Sequence, residues 1–152
     1  MNSVPEVSRK KKHADLKQMA NDLPLEILIA EDNIINQKLL LSILDMLGYK
    51  ADAVTDGRDV LRTINEKSYD LVLMDIQMPE MGGEETTTQL HEQLKENAPK
   101  IIAVTAYAMA GDRERYISAG MDGYISKPFK IEELVNEIRR VVRRKSIASL
   151  NN

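Results

Sequence analysis

Cysteine is absent from the 152 residues. That excludes disulfides and thiolate metal sites, and it suits a reducing compartment. Long apolar runs are missing too. The longest nearly apolar stretch, Ile101–Ala110, is too short to span a bilayer. The first residues are polar and basic, unlike a secretory signal peptide. A cytoplasmic chain with no membrane contact is the expectation. Histidine occurs only twice, as His13 in a basic leader and His91 on a polar helix. Neither has the setting of a metal ligand, and His91 is expected at the surface. Glycine is missing where a phosphate cradle needs it. The first predicted strand runs into Glu31-Asp32-Asn33, which argues against nucleotide or flavin binding there.

What is present fits one core with tails: 43% of the residues are apolar. The net charge of -3 hides an asymmetry. Residues 1–24 sum to +2, residues 139–152 to +5, and the body between them to -10. An acidic body argues against direct binding of a nucleic-acid backbone, which relies on Lys and Arg contacts. The run Arg9-Lys10-Lys11-Lys12 lacks interleaved aromatics and reads as a solvated linker.

Five short apolar runs recur: 27–30, the weaker 51–54, 71–74, 101–104 and 124–125. Helical patterns separate them. The first, Ile34–Leu47, has apolar positions 35, 39, 43 and 46, widened by 40, 44 and 47; Asp32 or Asn33 can cap it, and Gly48 can end it. Gly57–Lys67 turns Val60, Leu61 and Ile64 inward. Glu84–Asn97 and Met109–Ala119 are more polar. In the last helix Ile131, Leu134, Val135, Ile138, Val141 and Val142 form one stripe; Glu132 and Glu133 open it and Arg143, Arg144 and Lys145 close it, as the macrodipole favours. Strand and helix alternating five times predict an α/β protein with a parallel sheet covered on both faces.

In such sheets functional groups gather beyond the carboxyl ends of the strands. The first strand ends in Glu31-Asp32, the third in Asp75, the fourth in Thr105, and Lys127-Pro128 follow the fifth. Three clustered acids repel one another, and a divalent cation resolves the conflict. Oxygen ligands without His or Cys suit Mg²⁺. Carboxylates, a hydroxyl and an ammonium match the needs of phosphoryl transfer, with a carboxylate able to become an acyl phosphate.

Read together, AEDNIINQ, MDIQMPEM, AVTAYAMAGDRE and AGMDGYISKPF resemble the response-regulator receiver domain, most like the receivers of hybrid sensor histidine kinases. The resemblance runs from about Leu25 to Arg144. It implies a flavodoxin-like fold, a doubly wound five-stranded parallel sheet in order 2-1-3-4-5 with five helices. Residues 25–145 would form the domain, 1–24 a flexible leader or linker, and 146–152 a C-terminal tail. Asp75 would take a phosphoryl group from a phosphohistidine on a histidine kinase or a histidine phosphotransfer protein. Glu31, Asp32, Asp75 and the backbone carbonyl of Gln77 would hold Mg²⁺. Lys127 would pair with Asp75 and then with the phosphoryl group, and Thr105 would donate its hydroxyl. Tyr124 would be the switch aromatic, turning inward as Thr105 moves. Gln77 and Tyr107 would flank the site and govern water access, bulky Tyr107 favouring slow hydrolysis. The face formed by the fourth helix, fifth strand and fifth helix would switch, and could serve a homodimer. The Lys127-Pro128 bond would be cis. One departure is Gly82-Gly83, where many relatives carry Asp-Gly; it is expected to loosen the loop into the third helix.

The resemblance implies a chain that is no stand-alone metabolic enzyme but assists its own phosphorylation and dephosphorylation. Two rivals stand. A Mg²⁺-dependent aspartyl-phosphate phosphohydrolase normally carries a second Asp where this chain has Gln77. A receiver-like binding module that is never phosphorylated would not need the full set of side chains. No output domain is expected after residue 145.

Overall fold

The computed structural model describes residues 16–106 and 109–150, with side chains to Arg143. Tyr107 therefore lies outside the described residues. Five parallel strands, β1 (Ile27–Ala30), β2 (Asp52–Val54), β3 (Leu71–Asp75), β4 (Lys100–Thr105) and β5 (Gly123–Ser126), form one sheet in the order β2-β1-β3-β4-β5. The helices between and after them are α1 (Ile34–Met46), α2 (Gly57–Glu66), α3 (Gly83–Leu94), α4 (Asp112–Ser118) and α5 (Ile131–Leu150). A single 3₁₀ turn, Lys95–Asn97, follows α3.

The continuous apolar runs are explained by two cores. Ile27, Ile29, Leu71, Leu73, Ile102 and Val104 face a layer that includes Leu40, Leu44, Leu134 and Ile138 of α1 and α5. Their neighbours Leu28, Ala30, Val72, Met74, Ile101 and Ala103 face Val60, Leu90 and Tyr116 of α2, α3 and α4. Alternate side chains point to opposite faces, so a sheet buried twice needs apolar residues at every position. All six strand residues named for each layer are at most 2% exposed, so no polar side chain interrupts the centre.

Two boundaries and one helix face differ from the sequence reading. The leader was expected to end at Pro24, yet residues 16–22 are helical and packed. Met19 is buried, the Ala20 amide donates to the Leu47 carbonyl at 3.1 Å, and the Tyr49 hydroxyl donates to the Leu23 carbonyl at 2.7 Å. Burial pushes the Tyr49 phenol up to about 12, against the opposing charge of Arg139. The last helix runs to Leu150, because nothing in Ser146–Leu150 is a glycine or proline that would stop it. In α1 the stripe is phased differently. Leu40 and Leu44 are buried, whereas Ile35 and Leu39 are 79% and 59% exposed.

Gly48 makes the docking of residues 16–22 feasible. It adopts φ +94°, and a Cβ there would stand 2.8 Å from the Lys17 carbonyl oxygen and 2.9 Å from the Ala20 Cβ. Gly48→Ala should therefore cost about 1–2 kcal/mol, the usual penalty for a left-handed alanine, and should loosen the helix. Urea melts and amide exchange at Ala20 and Leu23 will check this. An unchanged midpoint with unchanged exchange would refute it.

Candidate functional site

The strand order places a topological switch between β1 and β3, so a crevice opens beyond their carboxyl ends. Glu31 and Asp32 leave β1 on one side of it and Asp75 closes β3 on the other. The turn after β1 is fixed by short polar contacts. The Glu31 amide donates to the Val54 carbonyl at 3.1 Å, and the Asn33 amide donates to Glu31 Oε1 at 3.2 Å. Asn33 then caps α1 through Oδ1, which accepts from the Asn36 amide at 3.0 Å. Of the two expected cap residues, Asn33 is the one used.

Three carboxylates converge. One oxygen from each of Glu31, Asp32 and Asp75 lies within 4.8 Å of the others. Glu31 is buried at 3% exposure, Asp75 is half-buried and Asp32 is exposed. Burial, and then the Glu31 carboxylate, push Asp75 up to about 7, against the pull of the Gln77 amide and of Lys127. The Gln77 amide donates to Asp75 Oδ1 at 3.1 Å. Lys127 corrects one expectation. Its Nζ sits 2.8 Å from Glu31 Oε2, so its direct partner is Glu31 and its charge reaches Asp75 only through space. The reason is burial: Glu31 is the acid with least access to water and most need of a cation.

Thr105 ends β4 and is 1% exposed. Its carbonyl accepts from the Lys127 amide at 2.7 Å, which ties the fourth strand to the turn carrying the lysine. The Lys127-Pro128 bond is cis, as expected. Tyr124 is half-buried on β5.

Gly83 overturns the expectation of a loosened loop. Its amide donates to the Ile76 carbonyl at 3.0 Å, and a Cβ there would stand 2.6 Å from the Asp75 carbonyl oxygen. The glycine lets α3 start hard against the end of β3, so it tightens the loop behind the acid. His91 also departs from its expected surface role: it is half-buried, with Nε2 2.7 Å from the Gly120 carbonyl oxygen.

Two contributors escaped the sequence reading. Gln37 Nε2 lies 3.2 Å from both the Glu31 and the Val54 carbonyl oxygens, bridging β1 and β2 beneath the acidic pair. Its signal was its place in the first turn of α1, inside AEDNIINQ. Tyr116 was hidden in the charged segment Asp112–Ser118, yet it is 3% exposed. An aromatic amid charges was the only hint.

Comparison with known proteins agrees with this architecture. The family model of the response regulator receiver domain matches residues 27–139. The chain is 42% identical over 134 residues to Histidine protein kinase 1 of Candida albicans, covering 82% of this chain and 5% of that protein. It is 38% identical over 117 residues to the polar-differentiation response regulator DivK of Brucella anthropi, covering 77% of this chain and 95% of DivK. Among solved structures, the receiver domain of a sensor histidine kinase from Pseudomonas aeruginosa, with a magnesium ion in its active-site cleft, is 39% identical. It superposes with a TM-score of 0.71 and covers 78% of this chain and 97% of that one. The chain belongs to the response-regulator receiver family, the phosphoacceptor domains of two-component and phosphorelay signalling.

Proposed function

We propose that Asp75 accepts a phosphoryl group from a phosphohistidine on a histidine kinase or histidine phosphotransfer protein. The observation that carries this reading is the convergence of Glu31, Asp32 and Asp75 within 4.8 Å at the sheet's switch point. The donor set fits Mg²⁺, being hard oxygens among which Asp75 is pushed up to about 7 by burial first and by the Glu31 carboxylate second. Glu31, Asp32, Asp75 and the Gln77 carbonyl would hold it. Bound there, Mg²⁺ would neutralise the acids and line up the phosphoryl oxygens.

The chain's own residues do the rest. An Asp75 carboxylate oxygen attacks phosphorus as the P–N bond to the donor imidazole breaks, leaving an acyl phosphate on Asp75 and the electron pair on the imidazole nitrogen. Lys127 supplies positive charge to the transferred oxygens. Thr105 donates its hydroxyl to one of them, and Tyr124 turns inward, changing the α4-β5-α5 face. That face carries the exposed Ile117 and would serve a homodimer or an output partner.

The donor's docking surface is supported by the rephased α1. Ile34, Ile35 and Leu39 are exposed beside the acids. Next to them a groove of about 320 Å³ is lined by Leu39, Leu40, Ile43, Pro128 and Phe129. An amphipathic helix bearing the phosphohistidine fits such a surface. Among the described residues no helix is long and apolar enough to cross a membrane.

Incubation with a phosphorylated histidine donor and Mg²⁺ tests this reading. Label should move to the chain in an alkali-labile form, and Asp75→Asn should abolish the transfer. Turnover of small phosphate esters without stable labelling would instead favour a phosphohydrolase.

A further inference from the structure

The loop between β3 and α3 carries Gln77, the one member of the proposed metal set that would contribute a backbone atom. Its two ends are fixed close to Asp75. The Gln77 amide donates to Asp75 Oδ1 at 3.1 Å, and the Gly83 amide donates to the Ile76 carbonyl at 3.0 Å. Those contacts hold the amide side of Gln77. The direction of its carbonyl is left to the residues that follow, Met78–Met81. There the chain is tightly turned. The Met81 amide donates to the Pro79 carbonyl at 2.7 Å, and Glu80 takes φ +65°, a left-handed conformation that persists only where the surroundings hold it.

What holds it is the start of α2. The first amides of a helix have no partner within it. Asp56 Oδ1 accepts from the amides of Arg58 and Asp59 at 2.8 and 3.1 Å, and the Gly57 amide donates to the Met81 carbonyl at 3.2 Å. This approach leaves no space for a side chain at residue 57. Gly57 is buried, and a Cβ there would overlap Thr86 Oγ1 and stand 2.6 Å from the Met81 carbonyl oxygen. The Thr86 hydroxyl is itself engaged, donating to the Gly82 carbonyl at 2.7 Å. Arg58 and Glu80 also pair across this junction at 3.6 Å, but their side chains are 64% and 61% exposed, so the pair contributes little.

We propose that Gly57 is a positioning residue for the metal: by letting α2 close on the Met81 carbonyl, it sets where the Gln77 carbonyl stands. This rests on the receiver reading above. Magnesium makes the dependence steep. It demands near-octahedral oxygens at about 2.0–2.1 Å, so a small displacement of the loop loses a ligand. Calcium takes more oxygens, at about 2.3–2.6 Å and in flexible geometry, and tolerates the same displacement. Gly57→Ala pushes Met81 away from α2 and leaves the side chains of Glu31, Asp32 and Asp75 untouched. Its mark is a loss of selectivity between the two ions, and not a general loss of binding.

The test is titration of the isotope-labelled full chain with magnesium chloride, and separately with calcium chloride, followed by the amide NMR shifts of Glu31, Asp32 and Gln77. Gly57→Ala should bind Mg²⁺ about tenfold more weakly than wild type, the usual loss when a ligand's supporting contact goes, and Ca²⁺ within about threefold. Arg58→Ala should bind both ions like wild type. A Mg²⁺ affinity for Gly57→Ala within about twofold of wild type, or equal losses for the two ions, would overturn the inference. The same spectra show whether Gly57→Ala folds. If it does not, Met81→Gly frees the loop at the same contact without adding an atom, and should weaken Mg²⁺ but not Ca²⁺; unchanged Mg²⁺ binding there overturns the inference equally. Wild type whose acids show no saturable shift with either ion overturns the receiver reading first, and this inference with it.

Discussion

Lys127→Met should destabilise the metal-free chain by about 2–4 kcal/mol at neutral pH, the cost of leaving a buried carboxylate without its cation. Lys127 Nζ lies 2.8 Å from Glu31 Oε2, and the two side chains are 21% and 3% exposed. Among the described residues the Glu31 carboxylate also accepts from the Asn33 amide, which is too little to hold a charge away from water. Methionine preserves the length of the side chain, so packing is nearly constant. The double variant Lys127→Met/Glu31→Gln removes both charges and should regain most of the loss. Urea denaturation of the four forms gives the coupling directly. A single variant that melts within about 0.5 kcal/mol of wild type would mean that Glu31 is solvated and the ion pair ornamental.

Without divalent cations, wild type should lose stability as pH rises from about 5 to 8, and Asp75→Asn should not. An unfolded aspartate titrates near about 3.9. Burial first, and Glu31 second, push the folded group up to about 7. Between those values the folded chain holds more protons than the unfolded one, so stability falls with rising pH through that window. The full shift would correspond to about 4 kcal/mol by the usual conversion. Asp75 is only half-buried, and solvent screening reduces the expected gain for Asp75→Asn at pH 8 to about 1–2 kcal/mol. Magnesium should cancel the wild-type loss, because the cation replaces the proton as the neutralising charge. Its affinity should therefore climb with pH up to about 7 and flatten above it. Thermal melts across pH, with and without Mg²⁺, will decide. A flat wild-type profile would mean that Asp75 is neither desolvated nor repelled by Glu31.

Much of this was legible in the chain itself. Apolar runs with no polar interruption required a sheet covered on both faces, and the acids ending the first and third of them had to meet where the strand order reverses. The misses share a cause. In α1, Ile34, Ile35, Leu39, Leu40, Leu41, Ile43, Leu44, Met46 and Leu47 surround the helix, so spacing alone cannot choose which side is inward. The exposed side carries Ile35 and Leu39, and Leu39 lines the groove beside the acids. Leu16, Met19, Ala20 and Leu23 did carry helical spacing, but the charged leader before them concealed it. Gly83, His91 and Tyr116 act through partners distant in sequence, and no local pattern announces such contacts.

The seating of residues 16–22 has a mechanical meaning. Helix α1 begins at the Asn33 cap next to Glu31 and ends at Gly48, under the Lys17 carbonyl. It is one stiff rod of 13 residues, about 20 Å long at 1.5 Å per residue. Pivoted near the acids, a tilt of about 5° would displace its far end by about 2 Å over that length. Residues 16–22 thus rest against the end of α1 remote from Glu31, where a small tilt of the rod would be felt most.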